Sequence, residues 1–449
     1  MEKILKAQKA YYKTHATKPY TFRVKQLDAL YDAIKKYEDS IIEALHNDLG
    51  KCRFEAYATE IGFCLKSIRA TKKKLKRYMK PKKVKTPFYQ IGGKSYIQHE
   101  PLGQVLIIGP YNYPFQLVIE PLIGAIAAGN TVMLKPSEFP SQTEKVLARL
   151  ISETFDNAYI GVVTGDKEVI TELLKWPFDH IFFTGSTRVG KIVYQAASKH
   201  LTPVTLELGG KSPTIVTDTA SLAVTARRIV YGKFMNAGQT CIAPDYIYVD
   251  AKIKDQFLEV LKQTIDDFYP NYDEYGVIIN QQHYQRLSKL IDDDKVVYGY
   301  QHDDQTRLIS PVVMDDVTWD DAVMQEEIFG PILPVMTYQS IEEVFEVLSE
   351  KPQPLALYAF TKDKALQDRF LKELSYGGAV FNDTIQHVVN PNLPFGGIGE
   401  SGIGKYHGKY SFEVFSHAKA YMTRSTKIDP KIAYPPYGNK EKLIRKILK

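Results

Sequence analysis

The sequence predicts two tandem α/β domains, each built on a mostly parallel β-sheet. Short apolar runs that end at glycine or proline alternate with helical segments, which is the pattern of βαβ units. At 449 residues the chain exceeds the size at which one hydrophobic core stops growing, about 250–300 residues. The alternation pauses near residues 203–210 and then resumes, so we expect the break between the two domains there.

The first 80 residues are predicted to be mainly helical, and the strands begin after residue 100. In chain order, the later elements are predicted as a strand at 104–109, a helix at 120–128, a strand at 130–134, a helix at 142–155, a strand at 160–163, a helix at 168–175, a strand at 180–183, a strand at 214–216, a helix at 222–234 and a strand at 246–249.

One helix of the N-terminal region has an apolar stripe and a basic face. The stripe consists of Ile61, Leu65, Ile68, Leu75 and Met79, with Lys72 as a gap. Lysine and arginine fill the opposite face up to residue 85. This face could bind nucleic acid or a membrane, but charge runs usually form a solvated surface.

Composition excludes several classes of protein. The charged fraction of 24% and hydrophobic fraction of 44% are ordinary for a globular protein. A net charge of +6 over this length is too weak to indicate nucleic-acid binding. No apolar run reaches the roughly 18–20 residues of a membrane span, and the N-terminus lacks a signal-peptide core, so neither is expected.

The three cysteines exclude a disulfide framework and a zinc finger, because Cys52, Cys64 and Cys241 have no CxxC spacing and no nearby histidine pair. We therefore expect no metal site. A reducing compartment, and hence a cytoplasmic location, fits this cysteine usage.

Cys241 and Glu207 stand out as candidate reactive groups. Cys241 lies between Gly238 and Pro244, which suggests a shaped loop that presents the thiol to a cleft. A lone cysteine is otherwise often a small buried hydrophobic residue. Glu207 follows a short apolar segment and precedes a glycine pair, so it is expected at a strand end facing a cleft, although a surface carboxylate is the alternative.

Two glycine-containing segments raise the question of phosphate binding. Gly210-Lys211 fails the Walker A pattern, because the required earlier glycine is Thr205. The segment Phe183–Gly190 follows a predicted strand and opens a predicted helix, where backbone N–H groups could bind a phosphate. An ordinary strand–helix turn would look the same.

Taken in order, several motifs resemble the aldehyde dehydrogenase superfamily. They are Pro110-Tyr-Asn-Tyr-Pro114, Gly129-Asn-Thr-Val-Met-Leu-Lys-Pro-Ser-Glu138, Phe183-Thr-Gly-Ser186, Leu206-Glu-Leu-Gly-Gly210, Gly238-Gln-Thr-Cys241, Glu327-Ile-Phe-Gly-Pro331 and Pro394-Phe-Gly-Gly397. The segment Tyr406–Phe412 and the short chain resemble the class 3 branch, which includes fatty-aldehyde enzymes. Tyr111, where a tryptophan is frequent in the family, and Pro121, where some branches have lysine, agree with that branch.

The resemblance implies an oxidoreductase mechanism with three catalytic residues. Cys241 would attack the aldehyde as a thiolate, and the Asn112 amide with the Cys241 backbone N–H would hold the oxyanion. Hydride transfer would leave a thioester, and Glu207 would activate the water that releases the acid.

The resemblance also implies a cofactor, NAD with NADP as an alternative. Lys135 and Glu138 would bind the adenine ribose, Gly185 and Ser186 would lie by the pyrophosphate, Glu327 would hold the nicotinamide ribose and Phe329 would pack near the nicotinamide. The carboxylate of Glu138 favours NAD, because it accepts from a ribose hydroxyl and repels a phosphate.

The family fold implies a Rossmann-like cofactor domain at 1–205 with a β arm at about 80–98, a catalytic domain at 206–415, and a bridging strand and tail at 416–449. Arm and strand would cross to a partner, so a homodimer is expected. The tail at 441–449 is too short and basic to span a membrane, and either weak contact with anionic lipid or a solvated end fits it.

The predicted function is therefore oxidation of an apolar aldehyde, whether fatty, aromatic, terpenoid or carotenoid, to the carboxylic acid. A CoA-acylating or phosphorylating aldehyde dehydrogenase is the nearest alternative, although those branches generally lack the glutamate found here as Glu207. A non-catalytic protein that binds through the basic helix is the remote alternative.

Overall fold

The computed structural model describes residues 1–448. Its α-helices are α1 (Glu2–Lys13), α2 (Tyr20–Lys36), α3 (Glu38–Leu49), α4 (Arg53–Ala56), α5 (Gly62–Met79), α6 (Gln116–Ala128), α7 (Ser141–Thr154), α8 (Lys167–Leu173), α9 (Thr187–Ser198), α10 (Leu222–Phe234), α11 (Lys254–Phe268), α12 (Gln281–Ser288), α13 (Ala322–Gln325), α14 (Ile341–Glu350), α15 (Lys364–Glu373), α16 (Lys409–Val414) and α17 (Glu441–Ile447).

The strands follow the order in which the sequence alternates. They are β1 (Lys82–Val84), β2 (Gly93–Pro101), β3 (Gln104–Ile108), β4 (Thr131–Lys135), β5 (Ile160–Val162), β6 (His180–Thr184), β7 (Val204–Glu207), β8 (Pro213–Val216), β9 (Tyr246–Asp250), β10 (Val296–Gly299), β11 (His302–Asp303), β12 (Leu308–Ile309), β13 (Val312–Met314), β14 (Ile332–Tyr338), β15 (Ala356–Phe360), β16 (Gly378–Phe381), β17 (Gly402–Ile403) and β18 (Ser416–Arg424).

Two large, mostly parallel sheets confirm the predicted fold class. The first has the order β17-β7-β6-β3-β4-β5, in which only β17 runs antiparallel. The second has the order β10-β13-β14-β9-β8-β15-β16, with β10 antiparallel. Strands β3, β4 and β6 are buried along their whole length, which explains their continuous apolar runs. The domain boundaries remain a prediction.

Helix α6 begins at Gln116, whereas the sequence predicted a start at Glu120. Every residue of α6 is buried, including these two polar side chains, so no alternation of apolar and polar faces marks where the helix begins. Pro121 lies inside the helix and has no N–H to donate to the carbonyl of Leu117, so one backbone hydrogen bond is lost.

Helix α5 carries the predicted basic face. It follows a π-helical turn at Tyr57–Ile61. Of the predicted stripe, Ile61 is buried in that turn, Leu65, Ile68 and Leu75 are buried in α5, and Met79 is half-buried; Thr71 is buried beside the gap at Lys72. Lys72 forms an ion pair with Asp28 of α2. At least one of the basic side chains therefore serves contacts within the chain.

A three-stranded antiparallel sheet contains both predicted arm segments. Its order is β1-β2-β18, and β18 pairs with β2 from Ser416 opposite Pro101 to Arg424 opposite Gly93. Strand β18 is thus at an edge of this sheet, and its side chains from residue 417 onward are exposed.

None of the helices within residues 1–448 has the length and apolar character needed to cross a membrane. The predicted tail at 441–449 forms the short helix α17, and its last residue, Lys449, lies outside the described residues.

Glu120 is a buried acid in the middle of α6. One carboxylate oxygen accepts a hydrogen bond from the Ser67 hydroxyl of α5 at 2.9 Å, and its side chain is otherwise enclosed, with 2% of the residue exposed. Burial raises the pKa of this carboxyl to about 7, and the bond from Ser67 opposes that effect.

We expect Glu120→Gln to stabilise the protein above about pH 7 and to have little effect below about pH 5. The folded chain holds the proton while the unfolded chain ionises, so stability falls as pH rises between the ordinary pKa of 4.5 and the raised value of about 7. The difference between these two pKa values corresponds to about 3 kcal/mol of unfolding free energy. Thermal unfolding across this pH range measures it, with the exposed Glu43→Gln as control. An equal effect of Glu120→Gln at both ends of the range would contradict the prediction.

Candidate active site

The candidate residues of the first sheet gather along one edge. Strands β7, β6, β3 and β4 are parallel neighbours, so their carboxyl ends lie side by side. Glu207 ends β7, Gly185 and Ser186 follow β6, Asn112 follows β3, and Lys135 ends β4. Ligands of open α/β sheets bind at this edge.

Cys241 is carried by a tightly constrained loop after α10. Asn236 and Ala237 adopt left-handed backbone conformations, with φ of 55° and 50°, and Gly238 follows with φ of 73°. A side chain at position 238 would overlap the carbonyl oxygen of Gly330, so only glycine fits. The turn directs the chain toward Cys241, which is partly buried.

The side chain of Gln239 fixes this loop by hydrogen bonds to the backbone. Its amide nitrogen donates to the carbonyls of Asn236 and Val277, each at 3.0 Å. Its amide oxygen accepts from the backbone N–H of Ile279 at 3.0 Å. All three bonds are buried or partly buried, so the loop that presents Cys241 is rigid.

Asn112 is joined directly to the Cys241 loop. Its side-chain Nδ2 donates to the carbonyl of Gln239 at 2.9 Å, and Asn112 is 2% exposed. The next residue, Tyr113, bonds through its hydroxyl to the Thr240 hydroxyl at 2.8 Å. An amide has two N–H donors, and among residues 1–448 only Gln239 accepts from this one, so a second donor remains for a ligand.

Glu207 is a buried carboxylate at the end of β7. Its backbone carbonyl accepts from Gly185 N–H at 3.0 Å, and its backbone pairs with Gly402 of β17. The residue is 3% exposed, and neither carboxylate oxygen accepts a hydrogen bond from residues 1–448. Burial raises the pKa of this carboxyl well above its ordinary value, which makes its ionised form a stronger base.

The thiol of Cys241 lies within the field of two carboxyl groups. Burial raises its pKa, and the charges of Glu327 and Glu207 raise it further. In the free protein the thiol is therefore protonated at neutral pH, and ionisation requires a base or a positive charge nearby.

The loop of Glu327 is held by a partly buried lysine, Lys211, which the sequence presents only within a failed Walker A pattern. Lys211 Nζ bonds to Asp245 at 2.5 Å and to the carbonyls of Val323 and Glu326 at 3.0 Å and 2.9 Å. Asp245 also accepts from the Ile328 N–H at 2.9 Å. The Lys211–Asp245 ion pair therefore binds the backbone at Glu326 and at Ile328, on both sides of Glu327. No local pattern marks it, since its members are far apart in the chain.

The carboxyl group of Glu327 lies against the backbone of Gly209, where any side chain would overlap it. Burial, and after it the charge of Asp245, raises the pKa of Glu327 to about 8. Two residues on, Phe329 has a φ of 53°, and its ring packs edge-on against Tyr111 at 5.7 Å between centroids. The structure thus brings Glu327 beside Gly209, two residues after Glu207, and Phe329 beside Tyr111 of the Asn112 loop.

Lys135 and Glu138 lie at the β4 end of this sheet edge. Lys135 is fully buried, donates to the carbonyl of Pro136 at 2.5 Å and lies 3.5 Å from the Glu138 carboxylate, whose side chain is 31% exposed. Burial lowers the pKa of Lys135, and Glu138 opposes that effect. A cationic donor and a partly open carboxylate suit a ribose, which both donates and accepts hydrogen bonds.

Gly185 and Ser186 lie between these two groups. A side chain at Gly185 would meet the ring of Phe183 at 2.6 Å, so this turn has no room for a larger residue at that position. Ser186 caps α9 by accepting from Val189 N–H at 3.4 Å. The turn at a helix N-terminus suits a phosphate group. Together, Lys135, Glu138, Gly185 and Ser186 therefore fit a dinucleotide along this sheet edge.

Comparisons with known proteins agree with this geometry. The family model described as the aldehyde dehydrogenase family matches residues 1–421. A 4,4'-diaponeurosporen-aldehyde dehydrogenase of Staphylococcus aureus (strain NCTC 8325 / PS 47) is 52% identical over 447 residues, which cover 98% of this chain and 97% of that protein. An aldehyde dehydrogenase of Rattus norvegicus, named as dimeric and NADP-preferring, is 46% identical over 426 residues, 94% of each protein.

A solved structure described as the substrate-bound state of Staphylococcus aureus AldH superposes with a TM-score of 0.98 at 52% identity, covering 100% of this chain and 99% of that one. The predicted resemblance, including its class 3 type, the enzyme class and a cofactor of NAD or NADP are confirmed. The chain is an oxidoreductase that converts an aldehyde to a carboxylic acid. On the family match and the near-complete alignment of these relatives, this chain belongs to the aldehyde dehydrogenase family.

Proposed function

We propose that this aldehyde dehydrogenase oxidises an apolar aldehyde with Cys241 as nucleophile, Asn112 as oxyanion donor and Glu207 as general base. The observation that carries the proposal is the hydrogen bond from the Asn112 amide to the loop that carries Cys241. Asn112 and Glu207 lie at the carboxyl ends of β3 and β7, on the sheet edge that fits a dinucleotide, and the Cys241 loop is joined to that edge by this bond. The charge of Glu207 also raises the pKa of the Cys241 thiol.

The first half of the reaction uses Cys241 and Asn112. The sulfur forms a bond to the carbonyl carbon, and the electron pair of the C=O bond moves to oxygen. The second N–H of the Asn112 amide and the backbone N–H of Cys241 would stabilise that oxyanion. Loss of one such donor typically lowers the rate by about 10²–10³.

NAD or NADP, when bound, supplies the acceptor for the hydride that leaves the Cys241 adduct. The residues proposed to hold it are Lys135 and Glu138 at the adenine ribose, Gly185 and Ser186 at the diphosphate, Glu327 at the nicotinamide ribose and Phe329 beside the nicotinamide. The Lys211–Asp245 ion pair supports this arrangement, because it fixes the loop of Glu327.

The second half of the reaction belongs to Glu207. After loss of hydride the substrate remains on Cys241 as a thioester, which water must hydrolyse. The unpaired Glu207 carboxylate would take a proton from that water, so that the hydroxyl attacks the thioester and the thiol is released. This base supports release of a free acid rather than transfer to CoA or phosphate.

The apolar substrate class is supported by the relative of 52% identity, whose name specifies 4,4'-diaponeurosporen-aldehyde. Fatty, aromatic, terpenoid and carotenoid aldehydes belong to the proposed range.

We further propose a cytoplasmic homodimer. Strand β18 has a nine-residue edge opposite β2 that a second copy could extend, and the rat relative is named as dimeric. The three cysteines within residues 1–448 are free thiols, which a reducing compartment maintains. Weak contact of the tail with anionic lipid is a separate proposal, supported by the exposed Leu443 beside basic residues.

We expect NADH or NADPH formation, followed at 340 nm with a panel of aldehydes, to disappear in Cys241→Ala. Glu207→Gln should retain a single burst of reduced cofactor, while steady turnover falls by about 10²–10⁴, because only thioester hydrolysis needs the base. Cys52→Ala, a cysteine away from the site, serves as control. A Cys241→Ala variant with wild-type turnover, or Glu207→Gln with neither burst nor turnover, would refute these roles. Acyl-CoA formed on addition of CoA would identify the acylating alternative.

The rate of thioester hydrolysis should fall as pH falls, with an apparent pKa above the ordinary 4.5 of glutamate. Glu207 acts as a base only when ionised, and its raised pKa moves the loss of ionised form to higher pH. Rapid mixing that resolves the steady phase after the burst, over a series of pH values, measures this. A wild-type rate that does not change with pH, or an unchanged acid limb in Glu207→Gln, would oppose the assignment.

Glu138→Gln should improve the use of NADP, because it removes a negative charge that repels the 2′-phosphate. We expect KM for NADP to fall by about tenfold, which corresponds to about 1.4 kcal/mol. Initial rates with each cofactor test this, and Glu153→Gln on the surface of α7 is the matched control. An unchanged ratio of kcat/KM for the two cofactors would place Glu138 away from the ribose.

A further inference from the structure

A fully buried ion pair lies behind the Asn112 loop. Lys51, between α3 and α4, places its Nζ 2.5 Å from Oε1 of Glu60, in the π-helical turn before α5. Both side chains are 0% exposed. Removal of two charges from water costs several kcal/mol per ion, so such a pair is weak support for stability. The contacts that the pair makes are therefore the better guide to its role.

Both ends of the pair bind the same short segment of backbone. Lys51 Nζ donates to the carbonyl of Asn112 at 3.1 Å. Glu60 Oε2 accepts from the backbone N–H groups of Phe115 and Gln116, at 2.9 Å and 3.0 Å, where α6 begins. One ion pair thus fixes residues 112–116 at both ends, with charge-assisted hydrogen bonds, which are stronger than neutral ones.

The same contacts reach the Cys241 loop. The Asn112 carbonyl that accepts from Lys51 also accepts from Asn236 Nδ2 at 2.8 Å. The Lys51 ammonium lies 3.9 Å from the ring centre of Tyr113, whose hydroxyl bonds to Thr240. The ammonium therefore contacts both residues that tie the Asn112 loop to the Cys241 loop.

We infer that Lys51 and Glu60 are positioning residues for this reaction, and that their ion pair sets the place of the Asn112 amide relative to Cys241. The inference rests on the oxyanion role proposed for Asn112. An oxyanion donor works only when it is held in place before charge develops, and displacement by about 1 Å can cost about 100-fold in rate.

Lys51→Met and Glu60→Gln should each lower kcat by about 10–100-fold, while KM for the aldehyde changes by less than about threefold, because the lost interaction acts in the transition state. Both variants also leave one buried partner uncompensated, so a lower melting temperature is expected. A large rise in KM at unchanged kcat would overturn the inference.

The double variant Lys51→Met/Glu60→Gln separates positioning from stability. Removal of both charges should restore part of the melting temperature, while kcat stays low. Recovery of both quantities together would show that the pair serves stability alone. Lys254→Met is the matched control: Lys254 pairs with Asp315 at 2.8 Å with both side chains mostly buried, and its loss should lower the melting temperature with kcat unchanged.

A double-mutant cycle with Asn112→Ala provides the decisive test. If Lys51 acts through Asn112, Lys51→Met should lower kcat by less than about threefold once Asn112 is already alanine. An undiminished further loss would refute the inference while leaving the role of Asn112 intact. Full activity of Asn112→Ala alone would instead refute the oxyanion role, and the inference with it.

Discussion

The hydrogen bond from the Asn112 amide to the carbonyl of Gln239 joins the two loops that carry the proposed catalytic residues Asn112 and Cys241. One loop continues a buried strand of the first sheet, and the other lies beside the second sheet. Two further bonds join the same loops, one from Asn236 to the Asn112 carbonyl and one between the hydroxyls of Tyr113 and Thr240. Each loop is also fixed from behind, the first by the Lys51–Glu60 pair and the second by Gln239.

Buried acidic groups dominate the electrostatics of the site. The carboxyl groups of Glu207 and Glu327 both have raised pKa values, chiefly because they are buried. The charge of each opposes ionisation of the Cys241 thiol. These effects favour the neutral thiol, so the proposed nucleophile needs a base or a positive charge nearby before it can react.

Much of the fold was predictable because its strands carry continuous apolar runs. Strands β3, β4 and β6 are buried on both faces, and this burial requires apolar residues at successive positions. Helix α6 shows the limit, since a helix that is buried on every side has no alternation of apolar and polar faces to mark where it begins. Strand β17 has only two residues and depends wholly on its pairing with β7, so no local pattern could indicate it.

The residues of the candidate site likewise fall into those that the sequence indicates and those that it does not. Residues within short motifs, such as Cys241 and Glu207, could be nominated from their neighbours in sequence. The lysines that hold the site could not be nominated in this way. Lys51 donates to the carbonyl of Asn112, 61 positions away, and Lys211 bonds to Asp245, 34 positions away. Gly209 and Gly238 add a limit on redesign. At Gly238 even alanine would collide with the backbone carbonyl of Gly330, so saturation libraries would find no functional replacement there, whereas at Gly209 a new side chain would displace the Glu327 carboxyl. Near Cys241, new substrate ranges must therefore arise from side chains and not from a change in the path of the backbone at Gly238.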